Sequence, residues 1–322
     1  MMNMTPRENT LRALTFGRPE RVAQEYKSLK TVMPSCLQDR ADNGLDIFGV
    51  KWIDTAPDAN FKLLTDITKW REVIKFADID AMDWAGSAER DYAGIDRAEK
   101  LIWASLRLGP FERMHSFMGF ETTLTAMYEE PEELSALIEA YTDYRVRCIR
   151  KMAEFYKPDF ICIHDDYGTQ LSLFMSRDMW LEFYAPSLRR LIDEIHTHKI
   201  LAALHSCGRI DPLIGDFVEF GIDVWESVQP CCDLRAIYAK YGSKIAFAPA
   251  MDQQKLGQCS PEEARAIVRE TIDTLGKFGN VMPRDTGGGR TMSPENAAAV
   301  RDEIERYGED YYRLNPIPEE RN

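Results

Sequence analysis

His205 and Cys207 stand two residues apart, just after the apolar run Leu201-Ala202-Ala203-Leu204. Side chains at that separation on a β-strand leave the same face. An imidazole nitrogen and a thiolate sulfur could therefore reach one ion, and both are ligand types that zinc prefers. Taken alone, the pair is better explained as a core histidine beside an inert buried cysteine, because zinc sites are recognised by three or four ligands. Other groups of the same chemical kind follow short apolar runs. These are His164-Asp165-Asp166, then Glu226 with Gln229, then Asp252 and Asp285.

Glu226 is the one carboxylate inside an otherwise apolar strand, where burial is costly without a cation or donor. It is the first choice for a third zinc ligand, with Asp165, Cys231 and Cys232 as alternatives. Adjacent cysteines rarely chelate one ion together, so at most one of Cys231 and Cys232 is expected to serve. Adjacent aspartates at a strand end face opposite ways, so at most one of Asp165 and Asp166 should face the site. His164, Asp165 and Asp166 are the candidate proton donors. Asp252 is read as a solvated loop residue or a helix cap, and Gly287-Gly288-Gly289 as a turn rather than a phosphate loop, since no lysine or hydroxyl pattern accompanies it.

These groups recur because the chain alternates strands with helices. Apolar runs at 101–106, 160–163, 201–204, 224–228, 244–250 and 280–282 read as strands. Residues 46–52 read as a strand or extended edge. The helices between them are signalled by caps and stripes. Thr5-Pro6-Arg7-Glu8 and Ser260-Pro261-Glu262-Glu263 are capping boxes with proline in the first turn. Ser293-Pro294-Glu295 starts a last helix. Apolar residues from Leu134 to Phe155 form one helical stripe that makes Cys148 a core residue. A helix from a Ser176 cap to about His198 should kink at Pro186. Repeated strand–helix units with short connections imply parallel strands joined by right-handed crossovers. No glycine fingerprint follows an early strand. The fold expected is α/β, a (β/α)8 TIM barrel with an N-terminal helical elaboration, in one domain over 1–322. Residues 1–100 would hold the elaboration and first strand, 101–310 the regular units, and 311–322 a polar tail. Such barrels carry their sites at the carboxyl ends of the strands, where the groups above collect.

The sequence of 322 residues has a formal net charge of −13. That excludes a role built on phosphate-backbone binding, which needs a basic face. No apolar run approaches a membrane span, and no signal-peptide pattern opens the chain. With an odd number of cysteines, 7, a cytoplasmic protein with reduced thiols is expected.

The chain resembles the uroporphyrinogen decarboxylase superfamily over nearly its whole length. The matching residues are Thr5-Pro6-Arg7-Glu8, Leu11, Pro19-Glu20-Arg21-Val22 and Phe48-Gly49-Val50-Lys51-Trp52. Further on come Asp165-Asp166-Tyr167-Gly168 with Gln170, Phe183, Pro186, and above all Leu204-His205-Ser206-Cys207-Gly208. The resemblance implies a barrel and two possible chemistries. True decarboxylases carry Met-Arg-Gln-Ala-Gly-Arg-Tyr, whose arginines hold the substrate's propionates. Here the corresponding stretch is Ala23-Gln24-Glu25-Tyr26-Lys27, without them. The other branch is similar to zinc- and corrinoid-dependent methyltransferases, in which a His-x-Cys pair and a distant cysteine bind zinc. His205 and Cys207 match that pair. The distant cysteine would fall at the glycine run and has no counterpart there. The resemblance thus implies methyl transfer between a small methylated compound and a corrinoid, with methyl-ether demethylation favoured over a thiol acceptor. The chain has no Asp-x-His-x-x-Gly corrinoid module, so a separate corrinoid protein would dock at the strand-end rim. The alternatives are a decarboxylase or lyase acting on another substrate, and a non-catalytic metal- or corrinoid-binding protein.

Overall fold

The computed structural model describes residues 4–39, 43–54, 56–284 and 292–319. Its centre is a parallel sheet of six strands: β1 (Leu29–Val32), β2 (Leu101–Leu106), β3 (Phe160–His164), β4 (Leu201–His205), β5 (Val224–Val228) and β6 (Ala246–Pro249). They pair in chain order, β1 to β6, each parallel to the next. The sheet curls as a TIM-barrel-like fold. Val281 adds a parallel bridge to Phe247, so among the described residues the ring has seven strand positions rather than the expected eight.

The pleat sorts the residues. Trp103, Phe160, Cys162, Ala203, Val224, Ala246 and Ala248 turn inward and pack with Ala13, Leu14 and Met282 into an inner core. Their neighbours Ile102, Ile161, Ile163, Leu204, Trp225 and Phe247 turn outward into the larger core shared with the helices. One step up the inward columns, the apolar residues give way to His164, His205 and Glu226. Register pairs His164 with His205 and His205 with Glu226, so the three stand in one row across β3, β4 and β5.

The helices obey their local signals. Thr5 and Glu8 close a capping box on α1 (Pro6–Leu14). Helix α2 (Pro110–Met118) begins beside Gly109. Helix α3 (Pro131–Lys151) buries Leu134, Leu137, Ile138, Tyr141, Cys148 and Ile149 on one stripe. Each of these buried aliphatic side chains contributes about 2 kcal/mol. A π-helical turn, Met152–Tyr156, ends it at Lys157. Instead of kinking at Pro186, the next helix breaks at Tyr184 into α4 (Arg177–Phe183) and α5 (Ala185–Thr197). Proline lacks the N–H that would continue the ladder, and it fits the first turn of a new helix. The capping box at Ser260 opens α6 (Pro261–Leu275), and Ser293 caps α7 (Pro294–Glu309).

Strand β1 gives no signal in the sequence, because four residues with Lys30 and Thr31 exposed make no apolar run. One further expectation needs correction. Residues 46–52 are not one strand. Asp46 accepts from the N–H groups of Phe48 (2.9 Å) and Val50 (3.0 Å), which turns the chain between the short strands Asn43–Leu45 and Lys51–Ile53. An aspartate that bonds its own downstream backbone favours a turn over a ladder. No helix among the described residues is long and apolar enough to cross a membrane.

Candidate metal centre

The inward row at the top of β3–β5 puts two imidazoles face to face. The rings of His164 and His205 stack 4.5 Å apart at an angle of 10°. His205 is the better connected. Its Nε2 lies 3.4 Å from Cys207 Sγ and 3.8 Å from Asp166 Oδ1, and its Nδ1 lies 3.8 Å from Glu226 Oε1. Burial opposes a charge on His205, but Cys207 and Glu226 outweigh it and hold its pKa well above the usual imidazole value. His164 is pushed the other way, to about 3, by burial and then by the charge on His205. It is therefore neutral, with its Nε2 bonded to Ser105 Oγ at 2.9 Å.

Cys207 is not on the strand, which ends at His205. The loop brings it back to the histidine. Its N–H donates to Asp166 Oδ1 at 2.7 Å, and its thiol lies 3.0 Å from Ser227 Oγ. Ser227 sits at a register shift of β5 with φ +67°. Such a bulge re-aims side chains, and left-handed strain at a non-glycine residue concentrates at functional sites. Next to Cys207, Gly208 has φ +88°, and a Cβ there would lie 2.2 Å from the carbonyl oxygen of Gly168. Gln229 closes the loop by accepting from the Gly208 N–H (3.2 Å) and from Gln170 Nε2 (2.7 Å). Gly208→Ala should therefore cost more than about 1 kcal/mol, since both the dihedral and the space are incompatible with a side chain. Denaturant unfolding measures this, and an unchanged midpoint would contradict the packing described.

The adjacent aspartates part company. Asp166 joins His205 and Cys207 in a group whose ligand atoms all lie within 4.8 Å of one another. Asp165 turns away and caps α2, accepting from the N–H groups of Phe111 (3.1 Å) and Glu112 (2.8 Å) and from the Tyr167 hydroxyl (2.8 Å). It is fully buried, and burial raises its pKa to about 7 against those three donors. A Cβ on Gly109 would meet the Asp165 side chain at 2.4 Å, so glycine is what lets the carboxylate reach the helix end.

Glu226 falls in a second group, with Cys162 and His164. The counter-charge that a buried carboxylate requires, expected from a metal, comes here from Arg284, whose Nη1 is 3.1 Å from Oε1. The Cys162 thiol donates to Oε2 at 3.0 Å. Burial would raise the Glu226 pKa, but Arg284 and His205 hold it well below the usual value. Cys231 and Cys232 belong to neither group. The first points its thiol at Gln229, and the second donates to the Gly208 carbonyl at 3.3 Å. Asp252 caps a short helix by accepting from the Lys255 N–H at 3.0 Å, as expected. Asp285 and Gly287-Gly288-Gly289 lie outside the described residues.

A cavity of about 440 Å³ opens over His164, Asp166 and His205. Its remaining wall comes from Trp52 and Pro57 of the elaboration and from Arg107, Leu108, Glu112 and His115. Burial drives the His115 pKa down to about 4. Sequence reading missed Arg284, Ser227, Ser105 and this wall. Only the polar Ser105 and Ser227, each within an apolar strand, carried a signal.

Asp166 and His205 at the cavity floor, with the Cys207 thiol beside them, make a donor set that suits a zinc ion that keeps a position for substrate. Comparison with known proteins bears on the fold and the family. A family profile described as uroporphyrinogen decarboxylase matches residues 99–307. Among solved structures, a methyltransferase from Methanosarcina mazei superposes with a TM-score of 0.70 at 15% identity, covering 94% of this chain and 99% of that one. At that identity the likeness shows the fold. An uncharacterized protein aligns with a TM-score of 0.29 at 12% identity over 51% of this chain and 47% of its own, too little to carry an argument. No curated protein matches.

Proposed function

The chain belongs to the uroporphyrinogen decarboxylase family, and within it we propose that this protein is a zinc-dependent methyltransferase. It moves a methyl group between a small methylated compound, a methyl ether before a thiol, and a corrinoid carried by a separate cytoplasmic protein that docks at the strand-end rim. The observation that carries this reading is the Asp166–His205–Cys207 group beneath the cavity. His205 Nε2, Cys207 Sγ and an Asp166 carboxylate oxygen would hold the ion. Zinc, when bound, supplies Lewis acidity toward a substrate oxygen or sulfur.

The chain's own residues do the rest. Asp166 holds the Cys207 N–H and so fixes the thiolate's approach. His164, kept neutral by burial beside His205, offers a hydrogen bond to the oxygen that is losing its methyl group, as a neutral imidazole can. Trp52, Pro57 and Leu108 exclude water from that oxygen. Asp165, bonded to the N-terminus of α2, is turned away from that oxygen.

Decarboxylation of a porphyrinogen fits the cavity poorly. About 440 Å³ is near the low end for small-molecule pockets. Among the described lining residues Arg107 is the one permanent cation, whereas a substrate with many carboxylates calls for several. The test is the absorbance change from cob(I)alamin to methylcobalamin with a panel of methyl ethers, and the reverse change with thiols. Turnover is expected with at least one methyl compound and should vanish on chelation, returning with zinc. Turnover that survives complete chelation, or robust decarboxylation of uroporphyrinogen, would overturn the reading.

A further inference from the structure

We propose that Glu226 is a positioning residue for the metal centre: clamped by Arg284, it holds the His205 imidazole so that Nε2 faces Asp166 and Cys207. This inference rests on the reading above and adds residues to it. It starts from an orphan. His205 Nδ1 is buried and has no hydrogen-bond partner, yet the Glu226 carboxylate stands 3.8 Å away. A buried imidazole nitrogen left unpaired is costly, and the one nearby anion is aimed at it.

The geometry separates this role from direct ligation. Nε2 faces Cys207 and Asp166, while Nδ1, on the other edge of the ring, faces Glu226. A carboxylate on the Nδ1 side does not share an ion held through Nε2. It is placed instead to accept a hydrogen bond from Nδ1–H once the pair closes from 3.8 Å, which would fix the tautomer and make the other nitrogen a better ligand.

Glu226 is itself held on three sides. Arg284 Nη1 lies 3.1 Å from Oε1, the Cys162 thiol bonds Oε2, and β5 places the residue in the inward row beside His205. Arg284 is fixed in turn. Its Nε lies 2.8 Å from Glu25 Oε1, its guanidinium stands 5.3 Å from the centre of the Trp103 ring, and its N–H donates to the Pro249 carbonyl at 2.9 Å. Glu25 precedes β1, and Arg284 follows the Val281 bridge to β6. The ion pair therefore ties the two ends of the curled sheet together directly behind the metal centre. Arg284 also argues against a second ion at Cys162–His164–Glu226, because that ion would sit against a guanidinium.

The test uses zinc alone, with affinity read by competition against a chromophoric chelator and the bonding of His205 read by 15N NMR of the histidine-labelled, zinc-loaded protein. In the wild type, His205 should carry its proton on Nδ1 and the metal on Nε2. Glu226→Gln keeps an oxygen for Nδ1 but loses the charge, and should weaken zinc about tenfold. Glu226→Ala should weaken it up to about 100-fold, the range for lost outer-shell partners. Arg284→Met should weaken it several-fold with Glu226 intact. Glu226→Gln combined with Arg284→Met leaves no unpaired charge, and covers the case in which Glu226→Ala does not fold. Unchanged affinity in Glu226→Ala or in the double variant overturns this inference and leaves the metal centre standing. Metal on Nδ1 in the wild type, with zinc binding abolished by Glu226→Gln, overturns it by making Glu226 a ligand. A wild type that takes up no zinc removes both readings.

Discussion

Replacing Asp166, His205 or Cys207 by alanine is expected to reduce bound zinc from about one ion per chain to a trace. Each offers one atom to a group in which the ligand atoms lie within 4.8 Å of one another. Small-protein zinc sites bind with about 10–16 kcal/mol of apparent free energy, spread over three or four ligands. Losing one of three protein ligands should therefore cost several kcal/mol, a thousandfold or more in affinity. The companion substitutions decide between the alternatives open at the level of sequence. Asp165→Asn should keep its zinc, because that carboxylate is bonded to α2. Cys231→Ser and Cys232→Ser should keep theirs as well, since those thiols are directed at Gln229 and the Gly208 carbonyl. Metal analysis of the purified variants by mass spectrometry reads all of these at once. Stoichiometric zinc in His205→Ala, or its loss in Cys231→Ser or Cys232→Ser alone, would relocate the centre.

Those outcomes turn on how far the site could be read from the chain itself. The His205/Cys207 pair was legible because strand β4 is a short apolar run and the two residues are local to it. Even so, the agent that brings the thiol to the imidazole is not the pleat. It is the Asp166 carboxylate from the next strand over, together with a left-handed Gly208. The capping boxes at Thr5 and Ser260 were legible for the same reason, since each is closed within four residues. What stayed illegible is long-range. Glu226 announced by its burial that it needed a counter-charge, but Arg284 reaches it from beyond β6, and Glu25 reaches Arg284 from before β1. Strand β1 has no periodicity of its own and is a strand because β2 pairs with it. The roles of Asp165 and Asp166 were separable only as a pair facing opposite ways. Which one faces the site depends on α2 starting at Gly109, a feature of packing rather than of local pattern.

The largest effect on stability is expected where the elaboration is bolted to the barrel. Arg113 and Asp46 are wholly buried and pair at 2.7 Å. The Arg113 guanidinium also donates to the Asp39 carbonyl at 2.8 Å and lies 4.6 Å from the centre of the Phe48 ring. Asp46 accepts in addition from Trp52 Nε1 at 3.0 Å and from the turn N–H groups of Phe48 and Val50. Arg113→Ala would leave that carboxylate buried with hydrogen bonds but no counter-charge. Breaking one partner of a buried pair costs about 3–5 kcal/mol, a large part of a typical folding free energy of about 5–15 kcal/mol. The double change Asp46→Leu with Arg113→Met removes both charges. It should recover part of that loss, though not the turn and Trp52 bonds, which Asp46 alone supplies. Urea denaturation of the two single variants and the double gives the coupling directly. The consequence also reaches the chemistry, because Trp52 forms part of the cavity wall. Arg113→Ala should therefore weaken substrate binding while leaving zinc content intact, since none of the three zinc ligands lies in the elaboration. A cost below about 1 kcal/mol would instead put the pair in the range of exposed ion pairs, and the elaboration would have to be anchored by its other contacts, among them the buried Arg145–Asp39 pair.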